Sequence, residues 1–588
     1  MAGLRGRWRP GWPSQPRLRC GAPGRRHLSG LRQRSGSAGR APRRHRTCGP
    51  DVGPPSRGRR LLPRPAPRYE RGAGLRRCRL RRSRRARRRG HHHDIRGDGR
   101  GLAWRRAGAS PCEWRLDRRR CARGRCLSTP RPRRPRQRAV TLDVLVGVDV
   151  GTTRIKALAV GLDGRVLGEA DAVTPWRHDG PCADVDPRVL ADTAIDVAVR
   201  TLDDPRVPSN ASVRGIGVTG IAEAGALLDD TGAPCAPMLA WYDPRGLAEP
   251  IRARVEAREF WRCCGVRLNS KPSLAKVLYL YDTVPDARSR ASLHLGVADW
   301  VVHALGGEAV AERSLLSRSG LYDVLGDEPW ALASDLVGDL VAPRIIWAGE
   351  PAGVVGPDAP ERLRGATLTV AGLDHEAASM AMGAMRLGVL TDSIGTAEAL
   401  LRLIPPVDRD TMETLVERDV GVGWGIVPGF LCLVGGLLTG LSLERMSALL
   451  GLTDRAQRRA VSEQALEIDR STVPFRIAEV SHEGLTLSGV TEGVSPAIAW
   501  RAAVDDLVAM STDLIDFIEA HVGRRSESML TGGWMNDPTV AAAKRAQIGA
   551  YETSDIREAA ALGAAFFGGI AAGVLERPGP ADRPRWRT

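Results

Sequence analysis

The stretch Leu145–Val160, LVGVDVGTTRIKALAV, decides how the rest of the chain is read. An apolar run meets one carboxylate, Asp149, turns at Gly151-Thr152-Thr153 and becomes apolar again. Two readings fit these residues. One is an ordinary hairpin with a polar tip; the other is a phosphate-binding turn with an acid aimed at a metal ion. A Gly-Thr turn offers backbone N–H groups and a hydroxyl to phosphate oxygens, and glycine permits close approach. An acid beside it can hold Mg²⁺ through waters, because that ion dehydrates reluctantly.

Outward from the turn, the pattern predicts strands over 143–149, 155–160 and 165–171, the last two joined at Asp163-Gly164, a good hairpin signal. Asp186-Pro187 then supplies an N-cap and a first-turn proline for a helix near 187–203, followed by a strand at 213–219. Antiparallel strands followed by covering helices predict a layered α/β or α+β domain. A second region repeats the layout. ATLTVAGLDHEAASMAMGAM reads as strand, acidic turn and helix, with Asp374 at the junction. GVLTDSIGTAEALLRLI turns at Ser393-Ile394-Gly395-Thr396 between two apolar runs, about 240 residues after the first Gly-Thr turn. Near the end, SMLTGGWMND places Gly532-Gly533 between a strand and a helix, and REAAALGAAFFGGIAAG gives a helix of small residues that backbone or ligand can approach closely. One Gly-Thr turn is a weak signal. Two of them, a distal Gly-Gly pair and an isolated acid after a strand form a constellation. No G-x-x-x-x-G-K-[ST] occurs, which excludes a Walker-type nucleotidase on pattern.

Composition divides the chain. Residues 1–140 hold 44 Arg, no Lys and 6 acids, a net of +38, while the remaining 448 hold 43 bases and 61 acids, a net of −18. The basic balance of the whole, +20, therefore belongs to the first segment. That segment, densest at RRCRLRRSRRARRRG, has no helical or strand period and too little apolar surface to offset ordering, so it reads as disordered. An RNA-binding or organelle-targeting arm is one reading of it. The other is a misplaced translation start, with the true one near Val140. From residue 141 on there are 4 Lys against 39 Arg, the bias of GC-rich coding DNA, and upstream sequence from such DNA yields Arg, Pro and Gly in any frame. Neither Cys121/Cys126 nor His91-His92-His93 has zinc-site spacing. Cys182, Cys235, Cys263, Cys264 and Cys432 in the body show no disulfide pattern and fit a reducing cytoplasm. No signal peptide and no apolar run of 18 residues is legible.

At this point the residues resemble the FGGY carbohydrate kinases, a family that includes xylulokinase, gluconokinase and glycerol kinase. The resemblance spans about 143–575. GVDVGTTRIKA looks like the family's first phosphate loop, AGLDHEAA like the segment with its catalytic Asp, and DSIGTA like its second phosphate loop. TGGWMNDP and EAAALGAAF look like its adenosine pocket, and LAWYDPRG and ADWVVHALGG…AERSLLSRSGLYD match segments between the loops.

What the resemblance implies is an α/β fold of two actin-like, ribonuclease-H-like domains with ATP and sugar in the cleft between. Closure of that cleft would exclude water. The domains would run over 141–387 and 388–576, with a tail at 577–588. It implies an ATP-dependent transfer of the γ-phosphate to a hydroxyl of a sugar, ketose, polyol or sugar acid. Asp374 would be the base and Asp149 would orient Mg²⁺. Gly151, Thr152, Thr153, Gly395 and Thr396 would cradle phosphates, and Gly532 and Gly533 would flank adenosine. Without the constellation, Asp374 would read as a helix N-cap. Glu223, Asp243, Lys271 and His375 would join Asp374 in binding substrate. Glu223 sits where glycerol kinase has a hydroxyl-binding Glu and xylulokinase a His; His375 sits where they have Gln and Asn. Lys271 departs from the family's small or aromatic residue, and Tyr279 replaces its usual Trp; a sugar acid would suit such a lysine, and so would solvent. The expected partner is a small molecule, with neither nucleic acid nor membrane for the body, a homodimer as the candidate assembly and the cytoplasm as compartment. A catalytically silent, actin-like sugar-binding protein is the alternative function.

Overall fold

The computed structural model describes residues 142–587, so the Arg-rich segment and the expectations attached to it lie outside the described residues. Its first sheet grows from the opening stretch. Strands β1 (Asp143–Val150), β2 (Arg154–Gly161) and β3 (Val166–Val173) form an antiparallel meander. Helix α1 (Pro187–Thr201) follows, begun by the Asp186 carboxylate accepting from the Arg188 N–H at 2.9 Å. Strand β4 (Ser212–Gly220) then pairs parallel to β1, and after helix α2 (Ser273–Thr283) strand β5 (Thr367–Leu373) pairs parallel to β4 and runs into helix α3 (Asp374–Ala381). The strand order is β5-β4-β1-β2-β3.

The second sheet repeats this plan. It contains β6 (Val389–Ile394), β7 (Glu398–Ile404), β8 (Val420–Trp424) and β9 (Leu431–Leu437). Helices α4 (Thr439–Leu449) and α5 (Pro496–Val522) precede strand β10 (Glu527–Thr531), and helix α6 (Pro538–Ile548) precedes β11 (Glu552–Thr553). The order is β8-β9-β7-β6-β10-β11. With edge strand β8 set aside, both sheets have the same order and the same directions: an antiparallel meander beside three parallel strands. That is the ribonuclease-H-like core twice, the plan of two actin-like domains.

Strand β1 is apolar along both faces because both are covered. Val144, Val146 and Val148 share a core with Leu190 and Val197 of α1. Leu145 points the other way, into a core with Phe566 and Phe567 of the last helix, α7 (Ala559–Ala571). The small residues of α7 admit backbone. A side chain at Gly147, Gly215 or Gly217 of the first sheet would overlap the main chain of Ala561, Gly568 or Ala564, and one at Gly563 would overlap Ala377 of α3. A helix from the end of the chain thus lies directly on the sheet built from its beginning, and holds α3 in place. No described helix is long and apolar enough to cross a membrane.

Candidate functional site

Both Gly-Thr turns lie where a central strand gives way to its meander partner. At the first, the Thr174 hydroxyl donates to the Gly151 carbonyl at 2.8 Å and the Trp176 indole donates to the Thr152 carbonyl at 2.8 Å. The Trp241 indole donates to the Thr152 hydroxyl at 3.0 Å, while Thr153 is exposed. Asp149, the second-to-last residue of β1, lies opposite Lys156 in the β1–β2 ladder, and Lys156 is held at 2.6 Å by Glu558. The Asp149 Oδ1 atom is buried with no hydrogen-bond partner among the described residues. Burial, then the neighbouring Asp374 carboxylate, push Asp149 up to about 8; Glu558 adds to this and Lys156 opposes it. An unsatisfied buried carboxylate oxygen on a group that a second carboxylate repels is an arrangement that a divalent cation relieves, so these residues fit Mg²⁺.

Asp374 is the first residue of α3, with Leu373 at the N-cap position, so its carboxylate does not cap the helix. Its Oδ1 accepts from the adjacent His375 N–H at 2.7 Å. What fixes it lies beneath. The Leu373 N–H donates to the Ser314 hydroxyl at 2.9 Å, and that hydroxyl donates to the buried Glu312 carboxylate at 2.6 Å. Gly372 has φ +81°, and a side chain there would press on Ser314 and Ile426. Glycine is what lets the strand turn into the helix at this point.

On the other side of Asp374, Glu223 follows β4 in a left-handed conformation, φ +63°. Its carboxylate accepts from Arg318 at 2.8 Å. Lys271 is half-buried, its ammonium 5.1 Å from the centre of the Trp241 ring, a cation–π contact and not a solvated surface position. Asp243 corrects an expectation. It is fully buried and absent from the cavity wall. Its Oδ2 accepts from the Ala183 N–H at 2.7 Å and from Arg245 at 2.6 Å, and its Oδ1 accepts from the Arg245 N–H at 2.9 Å. With both oxygens occupied by the chain itself, Asp243 fastens the loop that carries Trp241 instead of meeting a ligand.

The second turn is braced more heavily. Gly395 N–H donates to the Ala397 carbonyl at 2.9 Å, and Leu441 N–H of α4 donates to the Thr396 carbonyl at 2.7 Å. Below it, the fully buried Lys544 ammonium donates to Asp392 at 2.6 Å, Glu398 at 2.6 Å and Ser511 at 2.8 Å. Thr439 donates to the other Glu398 oxygen. The cluster ties β6, β7, α4, α5 and α6 together under the turn. Gly532, at φ +103°, packs on the Ile394 backbone at the foot of the same turn, and Gly533 faces open space.

Thr152, Glu223, Lys271, Asp374 and His375 line one cavity of about 540 Å³, and Ala397 and Glu398, beside Gly395-Thr396, form its opposite wall. Residues of both sheets therefore meet in one cleft. Sequence reasoning passed over Arg318, Lys276 and the Arg267–Asp419 pair, 2.8 Å apart at the cavity wall. Arg318 stood within a quoted motif with no distinguishing signal.

Residues 144–355 match the N-terminal domain of the FGGY family of carbohydrate kinases. A glycerol kinase of Janthinobacterium sp. (strain Marseille) is 25% identical over 456 residues, 73% of this chain and 90% of that protein. An L-fuculokinase of Salmonella typhi is 25% identical over 458 residues, 74% of this chain and 94% of that protein. Among solved structures, a xylulose kinase from Rhodospirillum rubrum superposes with a TM-score of 0.66 at 20% identity, covering 73% of this chain and 91% of its own. Plasmodium falciparum glycerol kinase with ADP gives 0.66 at 16% identity, covering 74% and 91%. Over residues 144–355 the chain carries a match to the N-terminal domain of the FGGY family of carbohydrate kinases, and with its paired sheets and two Gly-Thr turns it is similar to members of that family over most of its described length.

Proposed function

We propose that the protein is an ATP-dependent kinase that phosphorylates a hydroxyl of a small sugar or polyol. The observation that carries this reading is Asp374 standing in one cavity with Thr152 of the first turn, next to an Asp149 oxygen that lacks a partner. In this reading, residues 141–387 supply the acceptor site, the base and the first turn, and residues 388–576 supply the second turn and the adenosine site at Gly532-Gly533.

The chemistry follows from the charge that must be handled. Phosphoryl transfer gathers negative charge on the transferred group, so catalysis is mostly positioning and electrostatic stabilisation. The Asp374 carboxylate accepts the proton of the acceptor hydroxyl as the new O–P bond forms and the bond to the β-phosphate oxygen breaks, releasing ADP. Backbone N–H groups and hydroxyls of Gly151-Thr152-Thr153 and Gly395-Thr396 hold the β- and γ-phosphates. Asp149 would hold Mg²⁺, which supplies charge neutralisation on the phosphates when bound. Glu223, Arg318, Lys271 and His375 face the acceptor, a mixed-charge wall suited to a polyhydroxylated molecule.

The test is ADP release by the full chain with ATP and Mg²⁺ against glycerol, L-fuculose, D-xylulose and gluconate. Turnover of one class supports the kinase and assigns the acceptor. A folded protein that binds ATP and turns over none of them would favour a silent sugar-binding protein.

A further inference from the structure

Helix α2 buries Leu274, Ala275, Val277, Leu278 and Leu280, and among them one charged side chain, Lys276, only 4% exposed. Its ammonium meets no carboxylate among the described residues. Instead it donates to three main-chain carbonyls: Glu223 at 2.6 Å, Lys271 at 2.7 Å and Trp241 at 3.0 Å. An ammonium has three N–H donors and no acceptor, so three carbonyls satisfy it completely. The three come from separate segments: the loop after β4, the loop fastened by Asp243, and the entry to α2. All three residues line the cavity. One of them, Glu223, is a non-glycine residue at φ +63°, a conformation that persists only where its surroundings impose it.

We propose that Lys276 is the positioning residue of the acceptor site, gathering the three segments that present Glu223, Trp241 and Lys271. The proposal rests on reading this half of the cavity as the acceptor half. Burial, the largest influence, pushes Lys276 down to about 7; the Glu223 and Asp243 carboxylates pull it upward and the Lys271 ammonium pushes it further down. The His294 ring also lies against this group, held neutral first by burial and then by Lys276 itself. Folding stability and closure of the clamp move together with pH. The folded value lies below the unfolded one of 10.5, so between the two the unfolded chain binds more protons and this residue's contribution to stability rises with pH.

The test is hydrogen–deuterium exchange of the full chain at pH 6 and pH 8.5, corrected for intrinsic rates, beside steady-state kinetics. In the wild-type protein, amides at 221–226, 240–243 and 270–273 should exchange about tenfold slower at the higher pH, because an opened clamp binds the proton that the buried one gives up, while 395–398 stay unchanged. Lys276→Met should show the fast exchange at both values. Its KM should rise about tenfold for glycerol, or for the panel acceptor that is turned over, with KM for ATP unchanged. Exchange at these segments that ignores pH in the wild type overturns the proposal, and that arm needs no variant to fold. Loosening without a change in acceptor KM overturns the positioning role. Absence of any turnover, with the pH-dependent exchange present, counts against the kinase reading and leaves the clamp standing.

Discussion

Arg318 and Glu223 form an ion pair at 2.8 Å inside the cavity wall, so the acid that sequence reasoning assigned to a substrate hydroxyl already has a cation beside it. The same guanidinium lies against Gly421 of β8, where an added side chain would meet its Nη1 at 2.9 Å. Arg318 thus touches both halves of the cleft. Truncating either partner of a half-buried pair leaves the other uncompensated. Glu223→Ala and Arg318→Met should each raise KM for the acceptor about tenfold, equivalent to about 1.4 kcal/mol, with KM for ATP unchanged. A rise in the ATP value instead would misplace the pair.

Asp374→Asn keeps shape and hydrogen-bonding capacity and removes the base. General-base catalysis contributes on the order of 10²–10⁴-fold, so kcat should fall by about that factor while acceptor binding, measured calorimetrically, holds. Near-normal turnover would remove Asp374 from the chemistry.

Asp149→Asn removes a carboxylate whose Oδ1 is buried without a partner and which repels Asp374. The variant should be at least as stable as the wild type in the absence of metal, yet need several-fold more Mg²⁺ for half-maximal turnover. Unchanged Mg²⁺ dependence would take Asp149 out of the metal's neighbourhood.

Gly217 of β4 sits beside Gly147 of β1, and both lie under α7 with no room for a Cβ. Gly217→Val should displace the helix and lower Tm steeply, since overfilling a packed interface costs about 1–3 kcal/mol and forced backbone movement more. A thermal melt within a degree of the wild type would contradict the close docking.

Much of this was legible beforehand, for identifiable reasons. β1, β2, β3, β4 and α1 form within two residues of the expected boundaries because alternation, Asp163-Gly164 and the Asp186-Pro187 cap are local signals. The second Gly-Thr turn is equally local. Asp243 misled because a sequence displays an acid and not its partners, Arg245 and the Ala183 N–H. The docking of α7 on a sheet begun some 400 residues earlier was hidden because small residues admit a ligand as readily as a backbone. One signal went unread. The body keeps 4 Lys against 39 Arg, and all four lie at the site. Lys156 faces Asp149, Lys271 lines the cavity, Lys276 clamps its loops and Lys544 braces the second turn. A compact ammonium that fits a buried cage cannot be exchanged for a planar guanidinium, so the surviving lysines mark the places where shape matters.

The last expectation concerns pH. The buried Glu376 carboxyl on α3 accepts from the Ile426 N–H at 2.9 Å and so joins the first domain to the loop after β8. Burial pushes it from 4.5 up to about 8; Glu312 adds to the rise, while the Ile426 N–H and Arg318 oppose it. An acid with a raised folded value contributes stability that is complete below its unfolded value and is lost as pH climbs through the folded one. The loss should therefore accumulate between about pH 4.5 and 8, at up to about 1.4 kcal/mol per pH unit. Glu376→Gln stays neutral throughout and keeps an oxygen for Ile426. Denaturant unfolding at pH 5, 6.5 and 8 should show the glutamine variant gaining on the wild type at each step. A constant difference between the two would mean that Glu376 carries its charge in the folded protein.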